Sequence, residues 1–240
     1  MTVGPILPPM TQSLQSKDAA GGPAERPKRR TQAERSAETR RVLLETAIRC
    51  LHGQGYAATT TLLVAQEAGL SRGAMLHQFP TRVDLMIFVV QSVFDDEIAI
   101  YDARLSAIAD PRERLFSLPE IVWDVLSRPS GVAVLEILQG SRSDPALVER
   151  LAPIQAQIEQ NALAQLDRWY GSEAAASKTA MRLVVWAIRG LSIAQVLAPD
   201  PEEIHKSVAL LRRLLEAYVE RPRDESQSGA TRRQGVQERQ

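Results

Sequence analysis

Apolar residues recur at helical spacing along almost the whole chain between residues 37 and 221, and this regularity limits the fold more than any other feature. In the segment Leu43–Leu51, positions 43, 44, 47, 48 and 51 are apolar and therefore share one face of a helix. Pro and Gly interrupt the pattern at intervals typical of helix ends. We find no convincing strand-like alternation, so the sequence predicts an all-α fold of about nine helices.

Residues that start or stop helices bound these segments. The glycines at 53 and 55 end the first helix, and the hydroxyl side chains of Thr60, Ser71 and Thr81 are placed to cap the next three. The helix capped by Thr81 is expected to reach about residue 109, and Pro111 opens another that is expected to end near residue 128. Four further helices are expected at about 131–142, 145–170, 174–197 and 201–221.

Both ends of the chain lack the apolar residues needed for a core. Residues 1–30 are rich in Pro, Gly and polar side chains, and residues 222–240 hold a single Val and a single Ala. Neither segment buries enough apolar surface to offset the entropy lost on ordering, so both are predicted to be disordered. The basic run Arg26–Arg30 is interpreted either as a mobile arm that touches DNA or as a solvated tail.

Composition argues against several classes of protein. No uninterrupted apolar run approaches the roughly 18–20 residues of a membrane-spanning helix, and the N-terminus lacks the order of a secretory signal. The single cysteine, Cys50, fits a reducing compartment. His52, His77 and His205 lie in separate segments without the spacing of metal ligands. We therefore expect a cytoplasmic protein without a metal, a cofactor, an enzymatic activity or a membrane partner.

Charge is distributed unevenly, although the chain carries 29 basic and 29 acidic residues. Residues 1–94 hold 11 Lys and Arg against 7 Asp and Glu, whereas residues 95–240 hold 18 against 22. A basic first half is typical of a chain that contacts nucleic acid there, and chance is the alternative interpretation.

The strongest functional signal lies between Thr59 and Arg82, with the sequence TTTLLVAQEAGLSRGAMLHQFPTR. It predicts a short helix, a sharp turn at Gly69 and a second helix capped by Ser71. This arrangement is typical of a helix-turn-helix, here at residues 60–79, whose second helix enters the major groove of DNA. A tight helical hairpin inside a protein core is the alternative.

The second helix of this unit has two faces when its residues are placed at 100° intervals. Met75 and Phe79 define the buried face, and small or hydrogen-bonding side chains occupy the other. Arg reads guanine, Gln reads adenine, and small residues let a helix sit deep in the groove, while residues at helix starts are suited to phosphates. The predicted DNA-binding residues are Thr60, Thr61, Ser71, Arg72, Gly73, Ala74, His77, Gln78 and Arg82.

The segment from about Glu38 to Phe94 resembles the N-terminal domain of the TetR/AcrR family of bacterial regulators. The similarity includes the Gly55-Tyr56 helix exit, the turn around Gly69 and the Phe79–Arg82 junction. It implies a three-helix DNA-binding domain at 37–97, joined to a larger helical domain at 98–221 that binds ligand and forms a homodimer.

Two positions depart from the family pattern. Leu76 stands where the family often has a Tyr whose hydroxyl contacts the DNA backbone, so that hydrogen bond is not expected here. Arg82 replaces the usual Lys at the start of the fourth helix, which keeps the charge and adds bidentate reach.

The last two helices carry apolar residues on more than one face. The resemblance implies that they form a four-helix dimer interface, and two internal helices of a monomer are the alternative. Leu210 and Leu214 form a second apolar row beside the main one. The predicted interface residues, spaced alternately by four and three, are Ile204, Val208, Leu211, Leu215 and Tyr218.

A ligand cavity is expected between the helices at roughly 111–190. Large aromatic and isolated polar side chains are its candidate lining, although a core or surface position is the alternative for each of them. These candidates are Trp123, Glu136, Gln139, Trp169, Arg182 and Trp186.

Together these features predict a homodimeric repressor that binds a palindromic double-stranded operator and responds to a small-molecule effector of unknown class. An activator or ligand-independent regulator with the same DNA-binding segment is one alternative. A helical enzyme and a helical protein-interaction module are two others.

Overall fold

A computed structural model describes residues 31–170 and 174–220, with the backbone alone at 163, 166–170 and 174–177. Within these ranges the chain forms ten α-helices, a 3-10 turn at Ser141–Ser143 and no strand. The two terminal segments predicted to be disordered, with Arg26–Arg30, lie outside the described residues. The helices are α1 (Gln32–Ala58), α2 (Thr61–Glu67), α3 (Arg72–Gln78), α4 (Arg82–Ser106), α5 (Pro111–Phe116), α6 (Leu118–Leu126), α7 (Pro129–Gly140), α8 (Pro145–Tyr170), α9 (Ala174–Leu197) and α10 (Pro201–Glu220).

Hydroxyl caps start α2, α3 and α4 as the sequence predicts. Thr60 Oγ1, Ser71 Oγ and Thr81 Oγ1 each accept a hydrogen bond of 3.1 Å from the backbone N–H three residues further on. The Asp84 carboxylate returns a contact of 2.9 Å to the Thr81 N–H and completes a capping box. These local bonds satisfy N–H groups that the helix itself leaves free.

Two helix boundaries differ from the sequence-based expectation. The helix expected from Pro111 to about residue 128 is divided into α5 and α6 at Ser117. Pro119 explains the break, because a proline has no N–H to donate to the carbonyl four residues earlier. In α1 the helix is interrupted at Gly55, where φ is +76°, and a further helical segment continues to Ala58.

Buried side chains form two clusters. The first packs α1–α4 against α7 and the start of α8, and the second joins the end of α4 to α5, α6, α9 and α10. Helix α4 contributes Leu85 to the first cluster and Leu105 to the second. The domain boundary expected at residues 97 and 98 therefore falls inside a continuous helix that contributes side chains to both clusters.

Candidate DNA-binding surface and internal cavity

The turn between α2 and α3 has the geometry that its glycine predicts. Gly69 adopts φ +67°, a left-handed conformation that costs glycine little and other residues more. The N–H of Gly69 donates to Gln66 O at 3.0 Å, and that of Leu70 donates to Ala65 O at 2.9 Å. Leu70 is half-buried against the first cluster, so it anchors the turn.

Helix α3 presents the two faces expected from its sequence. Met75 and Phe79 are buried in the first cluster, while Arg72, Gly73 and His77 are exposed. Leu76, at the position where the resembling family often has Tyr, is also exposed. Among the other predicted DNA-binding residues, Thr60 and Ser71 are exposed at helix caps, and Thr61, Ala74, Gln78 and Arg82 are half-buried.

Gln78 is tied to α1. Its Nε2 donates to Ser36 Oγ at 3.2 Å, and the Ser36 hydroxyl lies 3.4 Å from its Oε1. This contact across 42 residues was not predicted, since nothing in the sequence pairs the two positions. It holds the amide at the edge of the exposed face of α3.

Arg82 makes intramolecular contacts that the sequence did not predict. Its Nε donates to Thr59 O at 2.9 Å, its Nη2 donates to Tyr56 O, and its guanidinium carbon lies 3.9 Å from the centre of the Tyr56 ring. The guanidinium thus joins the end of α1 to the start of α4. A phosphate contact by Arg82 would have to use its remaining N–H groups.

We expect Arg82→Ala to lower the free energy of unfolding by about 2 kcal/mol, because two carbonyls and an aromatic face lose a charged partner. The midpoint of thermal unfolding measures this. Arg82→Lys is the matched variant, since it keeps the positive charge and loses the planar guanidinium with its several N–H donors. Full recovery of the midpoint by Lys would contradict the bridging role and favour a contact made through charge alone.

Tyr56 also connects the first three helices to α7. Its N–H donates to Glu136 Oε2 and its hydroxyl donates to Asp144 Oδ2, both at 3.0 Å. Its ring packs against Gly140, where the Cβ of any other residue would lie 2.2 Å from ring carbons. Glu136, a predicted ligand-binding residue, is therefore occupied in holding the end of α1.

The remaining predicted ligand-binding residues whose side chains are described do not line the cavity that lies between α4, α6, α8 and α9. Trp123 is buried in the second cluster, and Gln139, Arg182 and Trp186 are exposed. The side chain of Trp169 lies outside the described residues. None of the five described candidates lines this cavity, because helical spacing does not show which face of a helix borders a void, and their role in ligand binding stays a prediction.

The internal cavity lies between α4, α6, α8 and α9 and has a volume of about 140 Å³. Its walls are mainly apolar, with Phe94, Tyr101, Val122, Met181 and Val185 among them. The acidic Glu97 and the basic Arg189 also line it. A small apolar ligand with a few convergent polar groups fits such a space.

Glu97 and Arg189 are the unusual members of this lining. They are 4% and 9% exposed, and neither Glu97 Oε1 nor Arg189 Nη1 has a hydrogen-bond partner in the described part of the chain. Burial raises the pKa of Glu97 to about 7, although Arg189 and Arg128 act in the opposite direction. The sequence carried one signal for this site: Glu97 continues the apolar row of Met86, Val90 and Val93 along α4.

Most of the predicted dimer-interface residues of α10 face the core of the chain itself. Ile204, Val208 and Leu215 are buried in the second cluster, so these three are not available to a partner, and Leu211 is half-buried against it. Burial contradicts the interface prediction for the three, because alternate spacing by four and three is the same for a core and for a partner. Tyr218, by contrast, is 52% exposed.

An apolar surface instead runs along the outer faces of α9 and α10, and we call it the outer apolar surface. Ile188 and Ser192 of α9 are buried while the opposite side is exposed, as the two-sided pattern of this helix predicts. The second apolar row noted on α10 is exposed as well. The surface comprises Leu183, Trp186 and Leu197 of α9 with Leu210, Leu214 and Tyr218 of α10.

Comparisons with known proteins identify the first part of the chain. Residues 43–87 match the family model described as bacterial regulatory proteins, tetR family. The chain is 28% identical over 186 residues to the HTH-type transcriptional regulator CymR of Pseudomonas putida, which covers 75% of this chain and 90% of CymR. It is 29% identical over 189 residues to the regulator BetI of Rhizobium meliloti, with 75% and 89% covered.

Solved structures show the same fold. A transcriptional regulator from Rhodococcus sp. Rha1 superposes with a TM-score of 0.60 at 18% identity, covering 73% of this chain and 95% of that one. A regulator from Saccharomonospora viridis, solved in complex with choline, has a TM-score of 0.56 at 24% identity, covering 77% and 96%.

Proposed function

We propose that this chain is a DNA-binding transcription regulator of the TetR family, and that it acts as a homodimeric repressor whose release from its operator is controlled by a small molecule. The observation that carries the proposal is the exposed face of α3. Helix α3 follows a turn and is capped by the hydroxyl of Ser71. Its exposed face carries Arg72, Gly73 and His77, and its N-terminal end has no bulky apolar side chain. We infer that this face lies in the major groove.

The binding residues are proposed to divide into two groups. Arg72, His77 and Gln78 reach base edges, while Gly73 and Ala74 allow close approach. Thr60, Thr61 and Ser71 contact phosphates near helix starts and fix position without reading sequence. Two copies of α3 related by a two-fold axis then read two half-sites about one helical turn of DNA apart, or somewhat more.

We expect Arg72→Ala to relax base preference at one position of each half-site, at a cost of about 1–3 kcal/mol there. The measurement is a binding series on single-base operator variants. Arg112→Ala removes an exposed arginine from the start of α5 and is the matched control. An equal loss on every variant would assign Arg72 to phosphate contact instead of base reading.

The outer apolar surface supports the dimer. Leu197 is 78% exposed, Leu214 57% and Trp186 54%, so the isolated chain exposes large apolar side chains on two helices that contact each other, as protein interfaces do. Gly190 lies between Trp186 and Leu197 on the same face of α9, with no atom within 4 Å of the position a Cβ would take. Packing within one chain does not explain a glycine in the middle of this helix, whereas the close approach of a partner helix does.

The apolar character of α9 has a second interpretation. Lys178–Leu197 is long and apolar enough to cross a bilayer, with a mean hydropathy of 1.4 and 22% of the segment buried. The mean hydropathy of this segment is high, although no uninterrupted apolar run spans it. Arg182 and Arg189 lie within the segment, and each charge is costly at the centre of a bilayer. We therefore propose that a second copy of the chain, in the cytoplasm, covers this face.

The sign of regulation depends on where the operator lies, so a reporter assay separates a repressor from an activator. Selection of binding sites from randomised duplex DNA tests the function itself. A two-fold symmetric consensus is expected. If no sequence-selective site is recovered from the full chain, the proposed function is wrong, and an interaction module or an enzyme takes its place.

A further inference from the structure

Two polar atoms of the internal cavity have no hydrogen-bond partner among the described residues, in a space with mainly apolar walls. Glu97 Oε1 comes from α4 and Arg189 Nη1 from α9, and both side chains are more than nine-tenths buried. A buried hydrogen-bonding group without a partner is costly, and native proteins leave few of them. The guanidinium N–H requires an acceptor, whereas the carboxyl oxygen accepts when it is ionised and donates only when it is protonated.

The charges in the cavity are not equivalent. A guanidinium keeps its positive charge throughout the physiological range. The carboxyl of Glu97 keeps its negative charge only in part near pH 7, since burial raises its pKa to about 7, with Asp96 adding to the rise and Arg128 and Arg189 opposing it. Burial also raises the pKa of Tyr101, so its hydroxyl remains a donor. From α8 the cavity receives the neutral side chains of Asn161 and Gln165.

We propose that the effector is a small organic carboxylate, held by Arg189 and by Glu97 in its neutral, hydrogen-bond-donating form, with its apolar body against the cavity walls. This inference rests on the proposed function, because it assigns the cavity to the effector. The volume of about 140 Å³ is close to the roughly 150 Å³ cavity that holds one benzene ring. The occupant is therefore a single ring or a short branched chain.

A cationic effector fits this cavity poorly. It would meet the permanent charge of Arg189 in a space where little water screens the repulsion. Recognition of a quaternary ammonium typically uses a cage of aromatic faces, whereas Phe94 and Tyr101 are the aromatic residues among the described lining. An anion forms an ion pair with the guanidinium of Arg189 and accepts a hydrogen bond from the protonated carboxyl of Glu97.

Carboxylate binding should be coupled to uptake of a proton. The bound anion raises the pKa of Glu97 further, so the complex binds more protons than the free protein. Affinity is therefore highest below pH 7, where Glu97 is already neutral, and it falls as the pH rises above the pKa of the free protein. The expected loss approaches about tenfold per pH unit while the complex retains its proton.

The test uses the full-length protein and three ring compounds of similar shape: benzoate, benzamide and benzylamine. Titration calorimetry is expected to show benzoate binding at least about 10-fold more tightly than the other two, since one charge-assisted pair is lost in each. Benzoate affinity is expected to fall between pH 6 and pH 8, with proton uptake visible as a buffer-dependent enthalpy. Equal binding of benzamide, or tighter binding of benzylamine, overturns the proposal.

Variants separate the two polar groups. Arg189→Met should weaken benzoate at least about 100-fold, while Arg142→Met, an exposed arginine of the Ser141–Ser143 turn, should leave it unchanged. Glu97→Gln keeps a donor and cannot titrate, so it should bind benzoate with a flat pH profile. A pH dependence that persists in Glu97→Gln overturns the role of Glu97, and it does so even where Arg189→Met fails to fold.

Operator binding without ligand is measured in parallel, so that the two proposals fail separately. If the operator is bound but benzoate, phenylacetate and 3-methylbutanoate neither bind nor release it, the carboxylate assignment is wrong and the regulator remains. If no operator is bound and benzoate still binds with proton uptake, the site stands and the proposed function is wrong.

Discussion

Replacing Leu210 and Leu214 together by Glu is expected to convert the proposed dimer into a folded monomer and to reduce operator affinity at least about 100-fold. Both side chains belong to the outer apolar surface, at 49% and 57% exposure, so the change removes no contact from the core of one chain. Charge placed in a helix–helix interface must be desolvated without a partner, which opposes association. Loss of one half-site contact then removes the gain from linking two binding events.

Sedimentation equilibrium measures the mass, and anisotropy with labelled operator measures the affinity. Ala209→Glu is the control, because residue 209 is exposed on the other side of α10. Circular dichroism should be unchanged in both variants. A dimer that survives the double substitution would show that the chains associate elsewhere. By contrast, Glu at Leu215 is expected to unfold the chain, since that side chain lies in the core.

Gly140→Ala is expected to lower the free energy of unfolding by about 3 kcal/mol, at the upper end of overpacking costs. The new Cβ would lie 2.2 Å from ring carbons of Tyr56. The ring cannot move away easily, because its hydroxyl donates to Asp144 and the guanidinium of Arg82 covers its face. In a chain of this size the thermal midpoint should fall by roughly 6–12 °C.

Gly53→Ala is the matched control, since no atom lies within 4 Å of the corresponding Cβ position. Alanine at this helical position is expected to leave the midpoint unchanged or to raise it slightly. Calorimetry compares the two variants under one condition. Equal midpoints would show that the Tyr56 ring relaxes freely, and the link it forms between α1 and α7 would then be weak.

The DNA-binding segment was predictable in detail because its structure is set by short-range bonds. Thr60, Ser71 and Thr81 each cap a helix through an N–H three residues away, and Gly69 supplies a conformation that the turn itself requires. Such contacts join residues that are close together in the sequence, so they can be recognised without knowing the fold.

The cavity was not predictable to the same degree. Glu97 and Arg189 are separated by 92 positions, and although Glu97 continues an apolar row of α4, nothing in the sequence pairs it with Arg189. The large aromatic residues proposed for the lining, such as Trp123 and Trp186, lie in the core or on the surface instead. A void depends on how four helices pack together, which no single helix encodes.

By itself, the sequence determined the all-α class, the capped helix-turn-helix and the two-sided character of α9, because these follow from periodicity and from bonds within about four residues. Only the tertiary structure decided that the seam at Ile204 and Leu215 faces inward, that Arg82 joins α1 to α4, and that Glu97 and Arg189 line one cavity. Spacing shows which side chains share a face of a helix. What that face meets is decided by packing between segments far apart in the chain, where burial of one apolar face leaves another exposed.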